Sequence, residues 1–348
     1  MLVNPESGDL VPRAEAVLKA CGDEHPGSVD HEVVASVVES STPVCSTAHE
    51  LEASLAMHRM RLAEAAIKVE CLLASAGTHP FASGDQPVTD GDRYRQLALD
   101  YPWVLQEAAT YGLHVHVGVP GTDRAIQVCN ALHRYLPHML ALSVNSPLWR
   151  GRPTGLKSTR ALLAGLYPRT GIPPVFGSFE EYERLIDLLK LGNTVRDFTH
   201  TWWFIRPHPR YGTIELRICD AQTDVRRSAA LAAMTQGLVA WTSDQLDAGE
   251  DLRDPRPICE ENLWSAAKDG CDAVFVDSTA GNAMRASAAI NELLETLTPY
   301  LIEFKSIRYL PMLRTMITSS GAAQQLEVHR DRSTRDVVHR LAEATAPQ

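Results

Sequence analysis

The sequence predicts an α+β fold with an antiparallel sheet, because a few short alternating segments stand apart among many helical ones. Three observations carry this. Ile214, Leu216 and Ile218 alternate with Glu215, Arg217 and Cys219, the period-two pattern of a half-buried strand. Leu113–Val119 alternates too, with His114 and His116 on one face and Leu113, Val115 and Val117 on the other. Most of the remaining chain shows helical periodicity.

The elements follow in order. Residues 4–9 (NPESGD) form a turn, and Pro12 to Lys19 a short helix. In His31–Thr42 the valines at 33, 34, 37 and 38 favour a strand. Thr47 and Glu50 make a capping box that opens a helix to about Ala76, with Leu51, Leu55, Leu62 and Ala66 as its core stripe. A long polar loop runs from His79 to Arg95, and loops of that length are often functional. After the HVHV strand, Asp123 opens a helix to about Leu142, and residues 143–160 then depart from any period. Ser178 and Glu181 cap a helix through Leu191, ended by Gly192. Residues 201–220 read as two strands joined by a Pro-, Arg- and Gly-rich bend, with Trp202, Phe204 and Arg206 on one face. An Ala-rich helix spans Asp224–Leu246 and a shorter one Glu261–Asp269; helices near 283–298 and 333–345 complete the pattern. No repeat divides the chain, and RDPRP (253–257) reads as a surface connector. Residues 1–348 are expected to form one domain.

With 33 basic and 43 acidic residues the net charge is −10, which argues against broad nucleic-acid binding. Seven scattered cysteines, without a CxxC pair, argue against a disulfide framework or zinc cluster and point to a reducing, cytoplasmic setting. No apolar run is long enough to span a bilayer, and the N-terminal residues show no basic segment before an apolar one.

Three polar residues lie on predicted strands: Glu39, His114 and Glu215. Carboxylates with an imidazole suit Mg²⁺ or Mn²⁺ better than a structural zinc. Arg206 and Arg217 beside them suit a carboxylate or phosphate. Arg150, Arg152, Lys157 and Arg160 make 143–160 a basic loop in an acidic protein. It is either a solvated loop or an anion cradle, and the cradle is the favoured reading. His116 is a further candidate, as are Arg93 and Tyr94 in the polar loop. Together these describe a phosphoryl-transfer pocket. A P-loop, a dinucleotide fingerprint and a nucleophile elbow are all absent. A metal-dependent hydrolase on His114 and His116 is a weaker alternative that needs a further ligand from His79, His200 or His208.

Several blocks resemble the glutamate–cysteine ligase family of the bacterial carboxylate–amine ligase type. They are VVESSTPV (37–44), GLHVHVGV (112–119), SVNSPLWRGRPTGLKSTR (143–160), TWWFIRPHPRYGTIELRICD (201–220) and ENLWSAAKDGCDA (261–273). The resemblance implies a fold like the glutamine synthetase catalytic domain, whose concave antiparallel sheet is an active-site floor backed by helices. It also implies ATP and Mg²⁺ (or Mn²⁺) as cofactors. The γ-carboxylate of glutamate would attack the γ-phosphate of ATP, and an amine, by default that of cysteine, would displace phosphate from the acyl phosphate. It matches Glu39, His114 and Glu215 to metal positions, and Arg217 and Arg206 to positions near substrate carboxylate and phosphate. Arg150, Arg152 and Arg160 fall in the family's polar loop. A homodimer fits folds of this kind. Members of the family begin with a strand resembling Gly-Val-Glu-Glu-Glu-Phe that supplies metal-binding glutamates. This chain reads Met1-Leu2-Val3-Asn4 at that place. The expectation is either a misassigned or truncated start or a divergent member with a weakened metal site, with a homologue that binds nucleotide or amino acid without ligation as the alternative reading.

Overall fold

The computed structural model describes residues 1–22, 27–82, 86–107 and 110–346; residues 83–85 of the predicted polar loop lie outside them. Its first elements are β1 (Leu2–Val3), α1 (Ala14–Cys21), β2 (Ser28–His31), β3 (Val38–Ser41), α2 (Ala48–Lys68), β4 (Leu72–Leu73), α3 (Asp92–Asp100) and α4 (Pro102–Glu107). The middle of the chain holds β5 (Val115–Gly118), α5 (Thr122–Leu132), α6 (Leu136–Ser143), β6 (Leu148–Trp149), β7 (Arg152–Pro153), α7 (Thr159–Leu163), α8 (Phe179–Lys190), β8 (Ile205–His208) and β9 (Thr213–Leu216). The C-terminal part holds α9 (Val225–Asp247), α10 (Arg256–Asp269), β10 (Val274–Asp277), β11 (Asn282–Arg285), α11 (Ala286–Glu303), α12 (Leu310–Thr318), α13 (Gly321–Asp331) and α14 (Thr334–Thr345).

The alternating segments meet in one antiparallel sheet of order β5-β9-β8. Val115, Leu216 and Ile205 stand side by side, and the next row is His116, Glu215 and Arg206. Val117, Ile214 and Pro207 follow, then Gly118, Thr213 and His208. Alternation therefore sends the first and third rows to one face and the second and fourth to the other. β8 takes an edge of this sheet, where Pro207 lacks an N–H at little cost to the ladder.

The apolar rows pack on α5 and α9. Ile205, Ile214 and Leu216 are at most 2% exposed and share a core with Val128, Cys129 and Leu132 of α5 and Ala229, Ala230 and Ala233 of α9. Each such side chain contributes about 1.5–3 kcal/mol by leaving water. The small alanines of α9 keep the side chains between helix and sheet short. The chemistry-bearing rows are thus displayed on a surface whose reverse is fixed by the core.

The architecture is α+β with antiparallel pairing, as the pattern predicted, while several boundaries differ. Of the strand expected over 31–42 only Val38–Ser41 is continuous strand: this β3 pairs with β2, and in the connection between them the Ala35 N–H donates to the Pro87 carbonyl and the Thr89 N–H to that of Val33. The helix expected to about Ala76 ends at Lys68, and Glu70 turns with φ 57° into β4. The helix expected over 123–142 is interrupted by a 3₁₀ turn at His133–Tyr135, with Pro137 in the first turn of α6. The connector at 253–257 runs into α10, which starts at Arg256 with Pro257 in its first turn. The hairpin β10–β11 was not expected.

Candidate active site

Glu215 is the hub of the polar face. It is 3% exposed at the centre of the sheet, because both neighbouring strands present side chains beside it. Arg206 Nε donates to Glu215 Oε2 at 2.6 Å, and Arg217 Nη1 donates to Oε1. The Arg206 Nη1 group also donates to the Thr201, Thr199 and Phe198 carbonyls at 2.8, 3.2 and 3.3 Å. Arg206 is thereby immobilised, with 6% of its side chain exposed, whereas Arg217 keeps 17%. Of the two guanidinium groups, Arg217 is the one open to a ligand.

Burial pushes the Glu215 carboxyl up, but Arg217 and Arg206 outweigh it and hold it well below the usual carboxylate range. His114 Nδ1 lies 3.8 Å and His116 Nε2 3.7 Å from Glu215 Oε1. Burial, reinforced by Arg217 at His114, lowers both imidazoles, that of His114 far below its ordinary value. Both are therefore neutral at pH 7. His116 also shares a 2.9 Å hydrogen bond with the Thr213 hydroxyl.

A second charged group faces this hub from the β2–β3 hairpin. Glu39 is paired in register with Asp30. Burial and the neighbouring Glu32 raise the Glu39 carboxyl to about 7, and Arg217 and Glu215 also act on it. The Glu39 side chain itself is exposed. Burial likewise raises Glu32, opposed by its bond from the Val33 N–H and by Arg217 and Arg93. Glu32, Glu39, Arg93, Arg217 and Glu215 thus share one electrostatic neighbourhood. Tyr94 is turned elsewhere, its hydroxyl donating to the His31 carbonyl at 2.8 Å.

Of the predicted ligand trio, His114 stands beside Glu215, while Glu39 is on the separate β2–β3 hairpin and acts on the hub through its charge. Among the described residues no three His, Cys, Asp or Glu side chains stand together in a group that could hold a metal ion. Both Glu215 oxygens are held by guanidinium groups. In this arrangement Glu39, His114 and Glu215 do not fit a divalent ion. The extra ligands considered for a hydrolase do not complete a site either. His79 is fully buried, with its Nε2 on the Gly8 carbonyl at 2.8 Å and its Nδ1 accepting from the Ala82 N–H at 2.8 Å.

The basic loop is divided among different surroundings. Arg160 is 7% exposed and turned inward, donating to the Ile218 and Arg217 carbonyls at 2.8 and 2.9 Å. Lys157 Nζ bonds Asp272 Oδ2 at 2.6 Å. Arg150 occupies the β6–β7 turn with φ 50°, and Arg152 is exposed on β7. The four do not form one cradle.

Aromatic groups flank the charged rows. His208 stacks on Tyr211 at 4.3 Å, with the His116 ring edge-on to His208 at 5.1 Å. Trp202 meets Tyr167 and Tyr101 at 5.2 Å each and carries the Arg169 guanidinium 5.7 Å from its ring. The sequence offered His208 only as a spare ligand for a hydrolase, although alternation from Arg206 places it on this face. Asp220 and Tyr167 carried no local signal. A surface hollow of about 420 Å³, lined by Glu180, Glu183, Arg184 and Leu188 of α8, contains none of the candidate residues.

Comparison with known proteins adds the family. The family described as glutamate-cysteine ligase family 2 matches residues 1–343. A protein of Rubrobacter xylanophilus with the provisional name glutamate–cysteine ligase 2-3 is 41% identical over 350 residues, covering 99% of this chain and 94% of that protein. A Thermobifida fusca protein with the provisional name glutamate–cysteine ligase 2 is 36% identical, covering 86% of this chain and 76% of its own length. A crystal structure of glutamate–cysteine ligase from Francisella tularensis in complex with AMP superposes with a TM-score of 0.67. It covers 100% of this chain and 87% of that one at 10% identity, a likeness of fold alone.

Proposed function

Because the chain belongs to glutamate-cysteine ligase family 2, we propose that it is an ATP-dependent carboxylate–amine ligase, joining the γ-carboxylate of glutamate to an amine, cysteine by default. The observation that carries this reading is the Arg206–Glu215–Arg217 array on the polar face of the sheet, with neutral His114 and His116 beside it.

The chemistry asks for a fixed positive charge where charge develops, and for exclusion of water from an acyl intermediate. A glutamate γ-carboxylate oxygen attacks the γ-phosphorus of ATP; the bond to the ADP oxygen breaks and an acyl phosphate forms. The amine nitrogen then attacks the acyl carbon, phosphate leaves, and the nitrogen gives up a proton. Arg217 is the group that offsets charge on the transferring phosphoryl. Glu215 aims Arg217, and Arg206, anchored on three carbonyls, aims Glu215. Neutral His114 and His116 offer hydrogen bonds without adding charge. The Trp202–Tyr167 wall supports a role in shielding the intermediate. Glu39 and Arg93, which share the electrostatic neighbourhood of Glu32, are assigned to the amino-acid substrates.

The test is ADP release from the full chain with Mg-ATP, glutamate and a panel of amines, with hydroxylamine to trap acyl phosphate. The expected result is ADP release that needs glutamate, a trapped γ-hydroxamate, and a loss of about tenfold or more in kcat/KM in Arg217→Ala. Absence of ADP and hydroxamate with every pair would refute the ligase. The engagement of both Glu215 oxygens by arginine favours a second reading, a nucleotide- or amino-acid-binding homologue without turnover. Saturable Mg-ATP binding without ADP release would support it.

A further inference from the structure

The loop read as an anion cradle has a different task. Asp220 is 0% exposed, and its carboxylate accepts from the Asn145 N–H at 2.8 Å, Ser146 Oγ at 2.7 Å and Ser158 Oγ at 2.9 Å. Arg160 Nη1 stands 3.7 Å from Asp220 Oδ1. A buried carboxylate with three donors and a guanidinium beside it is a rigid mount. Arg160 uses that mount to reach the strand backbone just past the last ladder residue of β9, donating to the Arg217 and Ile218 carbonyls. On its other side the Arg217 N–H donates to the Phe204 carbonyl at 2.7 Å. The backbone bearing Arg217 is therefore clamped from both edges.

Gly112 makes room for the clamp. A Cβ there would lie 2.3 Å from Arg160 Nη2, and its φ is not in the left-handed region, so the guanidinium is what requires glycine.

We propose that Arg160 is a positioning residue for Arg217, fixing the backbone from which the Arg217 guanidinium reaches the ligand. This rests on the proposed role of Arg217 at the phosphoryl group of ATP, extended here to the bound nucleotide. Removing the fork leaves two carbonyls without their partner and frees the strand on one edge. Arg160→Lys keeps the charge and loses the fork. Gly112→Ala displaces the fork and leaves Arg160 in the sequence.

The test is calorimetric titration of the full chain with Mg-ATP, reading affinity and stoichiometry separately. A fold defect lowers the stoichiometry; a misplaced Arg217 weakens the affinity at constant stoichiometry. The expected result is a Kd raised about tenfold in Arg160→Lys and raised in Gly112→Ala, with stoichiometry unchanged. Adding Arg160→Lys to Arg217→Ala should change Kd by less than about twofold, since the clamp acts through Arg217. Wild-type Kd in both single variants, lost stoichiometry at unchanged Kd, or full additivity in the double variant would each overturn the proposal. An Arg217→Ala protein that binds Mg-ATP as tightly as wild type overturns the premise itself, and is seen without touching Arg160.

Discussion

A carboxylate buried between two guanidinium groups is a commitment made residue by residue. Glu215 offers two oxygens, and Arg206 and Arg217 each take one. Glu215→Gln leaves two guanidinium groups without their anion, one of them almost fully buried, and is expected to destabilise the fold by roughly 3–5 kcal/mol in urea unfolding at pH 7. The sign of the pH dependence follows from the lowered carboxyl. Its stabilisation is whole above the unfolded value of about 4.3 and drains away as pH falls below it. The gap between wild type and Glu215→Gln should therefore narrow from about pH 4.5 downward. A gap that stays constant to pH 3 would contradict the pairing. Alternation in IELR placed Glu215 and Arg217 on one face, but the sequence reading gave Glu215 to a metal ion, where the structure pairs it with two arginines.

At the scale of elements, the sequence was most legible where a period is enforced by a core. The apolar set of β9 faces α5 and α9, so Leu216→Ala, 2% exposed in wild type, should cost about 2–5 kcal/mol with an unchanged denaturant m-value. A cost below about 1 kcal/mol would mean that the strand is not held by that core. The caps were legible for a similar reason, since a hydroxyl three residues before a glutamate has a local partner. Thr47 and Ser178 accept from the Glu50 and Glu181 N–H groups as expected. The glutamates, however, reach one residue further back than a capping box requires, to Ser46 and Gly177. The valine-rich 31–42 segment is strand over Val38–Ser41 as read, and its first half was misread because β-branched side chains also fit the connection between two strands. The break at His133–Tyr135 was missed because Pro137 in a first turn looks, in sequence, like a proline inside a helix.

Across the whole molecule, buried neutral histidines tie stability to pH. Burial lowers His79, His133 and His138 to about 4, against an unfolded value of about 6.5. The native state therefore holds fewer protons between these values, and stability rises with pH. It is complete above about pH 6.5 and is lost as pH falls toward 4, at about 1.4 kcal/mol per pH unit for each histidine. Urea unfolding between pH 4.5 and 7 should show this slope, reduced by about one proton in His79→Gln. A flat profile would mean that these rings titrate normally in the native state.

The sequence by itself determined the α+β class, the face on which His116, Glu215 and Arg206 are displayed, and the residue types available for chemistry. Periodicity fixes which way a side chain points, and that information is local. Only the tertiary structure decided the partners. It turned Arg160 inward to the carbonyls of residues 57 and 58 positions away, divided the basic loop, and gave Glu215 to two arginines. Spacing along a chain cannot encode distance between segments so far apart, because that distance is set by how the helices and sheet pack and by which buried polar atoms must find partners.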